Sequence, residues 1–367
     1  MPDTTIAPPE GNAAPTVGGP PGGPPTPQMA LQRLLLMSLP WVCQSVYVAA
    51  KLGVADHLDD DEPMPIAELA ALTDADPGAL YRFCRALAAI DVLVEHSGRE
   101  FTLAPMGQML RSDAPGDMRA FVIVNGEEPF RAWGDVLYSV RTGKSAFEHM
   151  FGMTHFEYLS QNAEANQVFH AMAGSTPEVL EQCDLSDAGT IVDLGGGRGA
   201  VLASLLERYP QARGIVQDLP EAVVEAPEYL AQRGVADRCD VVGQSFFDGV
   251  PDSGDVYVLS RVVHDWSDDD ARRLLRGVRE QMPPGSRLLV VDQMTADVPG
   301  FHPGKFADLQ MLVVLGGKER TIDELRVLLD DCGFAVTDVI PPAVPKPRAE
   351  TAVWAIGVGD GVDGGAG

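Results

Sequence analysis

From Gly189 onward, short runs of β-branched and aliphatic residues alternate with stretches whose apolar positions recur at helical spacing. This is the pattern of an α/β fold, a mostly parallel sheet flanked by helices. The runs predict strands at Thr190 to Leu194, Gly214 to Gln217, Cys239 to Val242, Val256 to Leu259 and Arg287 to Val291. Two more, Ala335 to Ile340 and Thr351 to Val358, complete a seven-stranded sheet. The first half of the chain reads differently. Apolar positions keep helical spacing from Met29 to about Leu58, with Gly53 as a stop signal, which predicts two packed helices. Two further helical patterns, separated by Thr73-Asp74-Ala75-Asp76-Pro77, precede a hairpin around His96-Ser97-Gly98, and together they predict a winged helix-turn-helix. Residues near 115 to 187 are mostly helical in pattern. The expected organisation is a disordered Pro/Gly-rich tail (1–27), a helical winged domain (28–115), a helical linker and pocket segment (116–187), the α/β domain (188–359) and a flexible end (360–367).

Composition narrows the picture. A chain of 367 residues is long enough for two cores, and 45% apolar with 22% charged residues is an ordinary globular balance. The formal charge of −26 disfavours nucleic acid and anionic membranes as partners. A winged helix suggests DNA, but the second helical pattern offers only Arg82 and Arg85, amid Asp56, Asp59, Asp60, Asp61 and Glu62, so a structural or dimerising role is expected. No apolar run approaches the roughly 20 residues of a membrane span, and a cytoplasmic location is expected. The five scattered cysteines read as reduced core thiols, with no metal-binding spacing.

The run IVDLGGGRGAVLASLLERYP is a buried strand, a glycine turn and an amphipathic helix. Gly195 and Gly197 let the backbone turn sharply and let a ligand approach where a Cβ would collide. Asp218, about 20 residues on, falls beside the ribose position of this fold, with Leu219 next to it. A dinucleotide would fit that much. Asp193 separates the readings, because a carboxylate opening the turn suits an ammonium group and disfavours a pyrophosphate that needs bare amides. The pattern Asp-x-Gly-x-Gly-x-Gly resembles an S-adenosylmethionine loop. After the third strand, Phe246 is placed to stack on adenine with Ser245 as its polar neighbour. Ser260 and Arg261, closing the fourth strand, complete the expected cofactor contacts.

Ligands in such sheets bind beyond the carboxyl ends of the strands. His264 follows the fourth strand in VYVLSRVVHDWSDDD, Asp292 ends the fifth, and Glu319 lies in GGKERT before the next helix. Carboxylates converging on an imidazole fix its tautomer and stabilise its protonated form, which makes the three a candidate base with two orienting groups. Trp133, Phe156, Phe169, Met172 and Met311, with Asp265, are the expected walls of an acceptor pocket.

The combination of LGGGRG, HDW and GGKERT, within a resemblance running from about Met29 to Val358, resembles the class I small-molecule O-methyltransferases of plant phenylpropanoids and of bacterial polyketide and anthracycline-type natural products. The resemblance implies a Rossmann-like methyltransferase domain behind a winged-helix dimerisation domain. It also implies S-adenosylmethionine as methyl donor (S-adenosylhomocysteine as product), a small aromatic acceptor, a homodimer, and His264 as base flanked by Asp292 and Glu319. Ser245 and Ser260 depart from the plant pattern, which has an aspartate and a lysine there, and match the bacterial branch better. Three other readings stay open at this level: a ligand-responsive DNA-binding regulator, an NAD-linked dehydrogenase, and a family member that binds the cofactor yet hydroxylates or decarboxylates.

Overall fold

The computed structural model describes residues 26–114, 116, 118–173, 176–297, 299–344 and 348–359. The expected tails at 1–27 and 360–367 therefore lie outside the described residues, Thr26 and Pro27 excepted. The chain divides into two compact units, Met1–Gly126 and Glu127–Gly367.

The first unit opens with three helices rather than two, α1 (Pro27–Met37), α2 (Pro40–Lys51) and α3 (Val54–His57). Pro40 starts a new helix at a 51° bend, and Gly53, at φ +68°, turns the chain in a left-handed conformation that suits glycine. The winged motif follows: α4 (Ile66–Leu72), α5 (Pro77–Ala88), and a sheet of β1 (Met64–Pro65), β2 (Leu93–His96) and β3 (Glu100–Leu103) in the order β1-β3-β2. Asp76 caps α5 by accepting from the Ala79 N–H at 2.7 Å, with Pro77 at the first helical position. Phe101 anchors the hairpin without any exposure. After α6 (Pro105–Gln108), α7 (Met118–Gly126) packs on α2, which carries the unit past the expected boundary at 115. Gly126 makes that packing possible, because a Cβ there would stand 2.4 Å from the Tyr47 ring.

On α1 and α2, Leu31, Leu34, Leu35, Met37 and Trp41 are 60 to 67% exposed, a continuous demand for apolar cover. No single helix among the described residues is long and apolar enough to cross a membrane. Arg85 on α5 is paired with Glu95, so the basic side of this helix is partly neutralised. Cys84, Cys183 and Cys332 are buried thiols as expected, whereas Cys43 is exposed on α2 and Cys239 half-buried.

The second unit begins with α8 (Glu128–Trp133), α9 (Val136–Thr142), α10 (Ala146–Phe151), α11 (His155–Gln161) and α12 (Ala163–Ala173). These helices belong with the α/β unit because Ala132, Ala146 and Phe147 share a buried cluster with Val313 and Val314. Next come β4 (Thr190–Leu194), α13 (Ala200–Arg208), β5 (Arg213–Asp218), α14 (Ala226–Gln232), β6 (Cys239–Gly243), β7 (Val256–Ser260), α15 (Asp268–Gln281) and β8 (Arg287–Gln293). The unit closes with α16 (Gly304–Gln310), a π-helical turn at Met311–Leu315, α17 (Ile322–Asp331), β9 (Phe334–Ile340) and β10 (Glu350–Gly357). All seven expected strands form, each within a residue or two of its predicted ends.

The sheet order is β6-β5-β4-β7-β8-β10-β9, parallel except for β10, which runs antiparallel to β8 and β9. Period-two alternation feeds two cores. Ile191, Val256, Val258, Leu289 and Val291 face one, while Val192, Leu194, Tyr257, Leu259, Leu288 and Val290 face the other. Each such side chain contributes about 1.5–3 kcal/mol on burial. The strand order reverses between β4 and β7, and such a switch point leaves a crevice beyond the strand ends.

Candidate active site

A cavity of about 300 Å³ opens at that switch point within the second unit. Its sheet-side wall comprises Asp193, Gly195, Gly197, Asp218, Leu219, Ser245, Phe246, Ser260, Arg261 and Asp265, so every expected cofactor residue meets one space. Helices α11 and α12 and the π turn supply the other wall through His155, Phe156, Phe169, His170, Val314 and Leu315.

The glycine turn is held by backbone chemistry. The Gly197 and Leu219 N–H groups donate to the Asp218 carboxylate at 2.9 and 2.7 Å, tying the turn to the end of β5. At Gly195, in a left-handed conformation of φ +73°, a Cβ would stand 2.7 Å from Val262. Arg261 adopts φ +56°, a strained conformation for a residue with a side chain, immediately after β7. Its N–H is held by Val291 O at 2.8 Å, and its guanidinium lies 3.6 Å from Glu350. The Ser245 hydroxyl accepts from the Phe247 N–H at 3.2 Å, and Phe246, Phe247 and Trp266 meet edge to face.

Asp193 Oδ2, Ser260 Oγ, Arg198 Nε and Trp266 Nε1, all on residues that line the cavity, have no hydrogen-bond partner among the described residues. A buried carboxylate oxygen left without a hydrogen bond suits a cationic donor, and the amino group of S-adenosylmethionine is one. Asp218 offers a carboxylate for ribose hydroxyls, and Phe246 a ring for adenine. The donor set therefore fits the cofactor that the sequence motif implies.

His264 sits in a short 3-10 turn, Val263–Asp265, after β7. Its Nδ1 lies 3.0 Å from Glu319 Oε1 and its Nε2 3.4 Å from Asp265 Oδ1. The GGKERT loop is clamped onto this turn. Lys318 N–H donates to His264 O at 2.8 Å, and a Cβ at Gly317 would stand 2.2 Å from that same oxygen, so only glycine permits the approach. Arg320, 3% exposed, donates to the carbonyls of Val263 and Trp266 at 2.9 and 3.0 Å and pairs with Asp268 at 2.8 Å. Asp292, buried at the end of β8, leaves Oδ1 without a partner among the described residues. Burial works against charge on His264, but the carboxylates of Asp292, Glu319 and Asp265 outweigh it and push the imidazole up to about 10. Burial pushes Asp265 and Asp292 in turn up to about 7, against the pull of His264.

Several expectations need correction. His264 does not itself form the cavity wall, where Asp265 and Trp266 stand; 15% of its side chain remains accessible. Of the acceptor-pocket residues, Phe156, Phe169 and Asp265 reach the cavity, but Trp133, Met172 and Met311 do not. Trp133 is held back by donating from Nε1 to Gln310 Oε1 at 2.5 Å and packs on the Phe147 cluster. Met311 opens the π turn, whose later residues Val314 and Leu315 supply the wall, and α12 presents Phe169 and His170 instead of Met172. Sequence reasoning missed His155 and His170. The latter lies over the glycine turn, with Cε1 3.5 Å from where a Gly197 Cβ would be.

Burial, reinforced by Asp218, holds the Asp193 carboxyl up at about 7 against the opposing pull of a backbone hydrogen bond and of Arg261. A bound ammonium stabilises the ionised form and lowers that value, so binding releases a proton and tightens as pH rises through 7. S-adenosylhomocysteine affinity, measured by calorimetry, is expected to be about tenfold higher at pH 8 than at pH 6. Asp193→Asn is expected to bind weakly and to lose that pH dependence. A pH-independent wild type contradicts the Asp193 contact.

Comparison with known proteins identifies the family. Residues 133–335 match the family model of the O-methyltransferase domain, and residues 34–113 that of the O-methyltransferase dimerisation domain. The chain is 45% identical over 308 residues to phenazine O-methyltransferase PhzM of Lysobacter antibioticus, covering 83% of this chain and 90% of that one. It is 35% identical to aclacinomycin 10-hydroxylase RdmB of Streptomyces purpurascens, covering 79% and 80%. A solved relative is the O-methyltransferase of neocarzinostatin biosynthesis, in complex with S-adenosylmethionine and 2-hydroxy-5-methyl naphthoic acid. It superposes with a TM-score of 0.79 at 28% identity, covering 89% of this chain and 98% of that one. The chain belongs to the S-adenosylmethionine-dependent O-methyltransferase family, with its dimerisation domain and its methyltransferase domain in one polypeptide.

Proposed function

We propose that this enzyme methylates a hydroxyl of a small phenazine- or polyketide-type aromatic, with His264 as the general base. The observation that carries the base assignment is the contact of His264 Nδ1 with Glu319 at 3.0 Å, with Asp292 and Asp265 beside the ring. S-adenosylmethionine supplies the electrophilic methyl carbon. Glu319 keeps the proton on Nδ1, which leaves Nε2 to take a proton once it has lost its own. The acceptor hydroxyl then takes the place of Asp265 at Nε2.

Magnitudes decide why the carboxylates matter. An ordinary phenol near pKa 10 and an ordinary imidazole near 6.5 leave a transfer about 5 kcal/mol uphill. The clustered carboxylates raise the imidazole toward the phenol and remove most of that gap. Phe156 and Phe169 give the acceptor a flat apolar wall. A retained base favours methyl transfer, whose acceptor must lose a proton, over the hydroxylation named for the Streptomyces purpurascens relative.

His264→Ala is expected to lower transfer of labelled methyl to an accepted phenol by about 10² to 10⁴ while leaving S-adenosylhomocysteine affinity within about twofold. The sign of the pH dependence follows from the raised imidazole, because the base works only when neutral. Turnover is therefore expected to rise with pH and to reach half its maximum above 6.5, the value of free imidazole. Full activity in the variant contradicts the assignment.

The apolar surface of α1 and α2 supports a homodimer that buries it, in keeping with the dimerisation domain. Sedimentation of the full chain is expected to give a dimer, and a chain beginning at Met29 to remain one. A chain beginning after Leu58 is expected to lose dimerisation. A compact full-length monomer contradicts this reading.

A further inference from the structure

His155 is a polar side chain set inside the aromatic portion of the helical wall, and the chemistry described so far makes no use of it. The local sequence holds it firmly. Thr154 caps α11 by accepting from the Glu157 N–H at 3.2 Å, and Glu157 returns the bond to the Thr154 N–H at 2.7 Å, a closed capping box that fixes the first turn. His155 is the first residue of that turn. Its ring meets Phe147 edge to face at 5.0 Å and Phe169 at 5.6 Å, and only 5% of the residue is exposed, on the cavity. Its Nδ1 is sealed and has no hydrogen-bond partner among the described residues.

A polar ring placed among hydrocarbon is costly unless its hydrogen-bonding capacity is used. A sealed nitrogen without a partner is less costly as a bare acceptor than as an N–H donor, so burial of Nδ1 favours the tautomer with its proton on Nε2. That leaves one N–H donor available to an occupant of the cavity.

We propose that His155 determines acceptor specificity by donating from Nε2 to a ring nitrogen or carbonyl oxygen of an uncharged polycyclic aromatic acceptor. The proposal rests on the reading of the cavity as an aromatic methyl-acceptor site. The ring is neutral in the cofactor-free protein, since burial lowers its pKa to about 4. The exposed Glu148 and Glu157 at the same cavity add negative potential on that side, which disfavours an acceptor bearing a carboxylate. A hydroxylated heteroaromatic or quinone meets both conditions, having a flat apolar body and one neutral accepting atom away from the hydroxyl to be methylated. Recognition through a buried polar group discriminates strongly, because an acceptor without the heteroatom leaves the donor unpaired.

The test compares two probes of one shape, 1-hydroxyphenazine and its all-carbon counterpart 1-hydroxyanthracene. Binding of each to the protein saturated with S-adenosylhomocysteine is measured by quenching of tryptophan fluorescence. The wild type is expected to prefer the phenazine by at least tenfold. His155→Phe is expected to lose that preference through weaker phenazine binding, with anthracene affinity unchanged within about twofold. His155→Gln, which keeps an amide donor, is expected to recover part of the preference. S-adenosylhomocysteine affinity reports that each variant is folded. In methyl transfer, the loss is expected in KM for the phenazine, with kcat for the anthracene unchanged. An absent preference in the wild type, or an equal change for both probes in His155→Phe, overturns the proposal. A wild type that binds the phenazine selectively yet methylates neither probe leaves His155 in its role and overturns the methyl-transfer reading instead.

Discussion

An imidazole and three carboxylates held largely out of water at one sheet edge are the constraint on which the active site depends. Removing one partner from such a cluster leaves an uncompensated buried charge, which generally costs 3–5 kcal/mol. The surrounding structure answers to that demand. Glu319 reaches the ring only because the GGKERT loop lies against the backbone of the HDW turn, and Gly317 leaves no Cβ to hold them apart. Arg320 then fastens the turn by bonding the carbonyls of Val263 and Trp266 and the carboxylate of Asp268. Asp292 is brought in by β8, the next strand in the sheet.

The reversal of strand order between β4 and β7 divides the labour at the site. On the β4 and β5 side, Asp193, the glycine turn and Asp218 form a lining that fits an ammonium and a ribose. On the β7 and β8 side, the carboxylates make the imidazole more basic. The helical wall belongs to neither. It is built from α11, α12 and the π turn, which Ser145 locks to α10 by donating to Val313 O and Val314 O at 3.2 and 2.9 Å. Differences in acceptor choice can therefore arise in this wall without disturbing the base.

Residues whose place follows from the end of a strand were legible in the sequence. Asp193, Asp218, Ser260 and Asp292 each close an apolar run, and the fold rule for open parallel sheets places such ends at the crevice. Residues whose role depends on how helices pack were not. Trp133, Met172 and Met311 have the size and polarity of pocket walls, yet a hydrogen bond to Gln310 and the rotation of short helices turn the wall over to Val314, Leu315 and His170. His155 carried a usable signal, a histidine directly after the cap of a Thr-x-x-Glu box and among aromatic neighbours. The extra helix at Val54–His57 and the extension of the first unit to Gly126 depend on a left-handed glycine and on a missing Cβ against Tyr47. Periodicity does not encode either feature.

The proposed removal of the acceptor's proton by His264 is tested most directly with a series of phenolic acceptors of decreasing hydroxyl pKa. The quantity to measure is the ratio of wild-type to His264→Ala turnover for each acceptor. An acceptor already ionised at the assay pH needs no base, so the account predicts a ratio that falls from about 10³ for ordinary phenols toward unity for the most acidic ones. A ratio that stays constant across the series would contradict it.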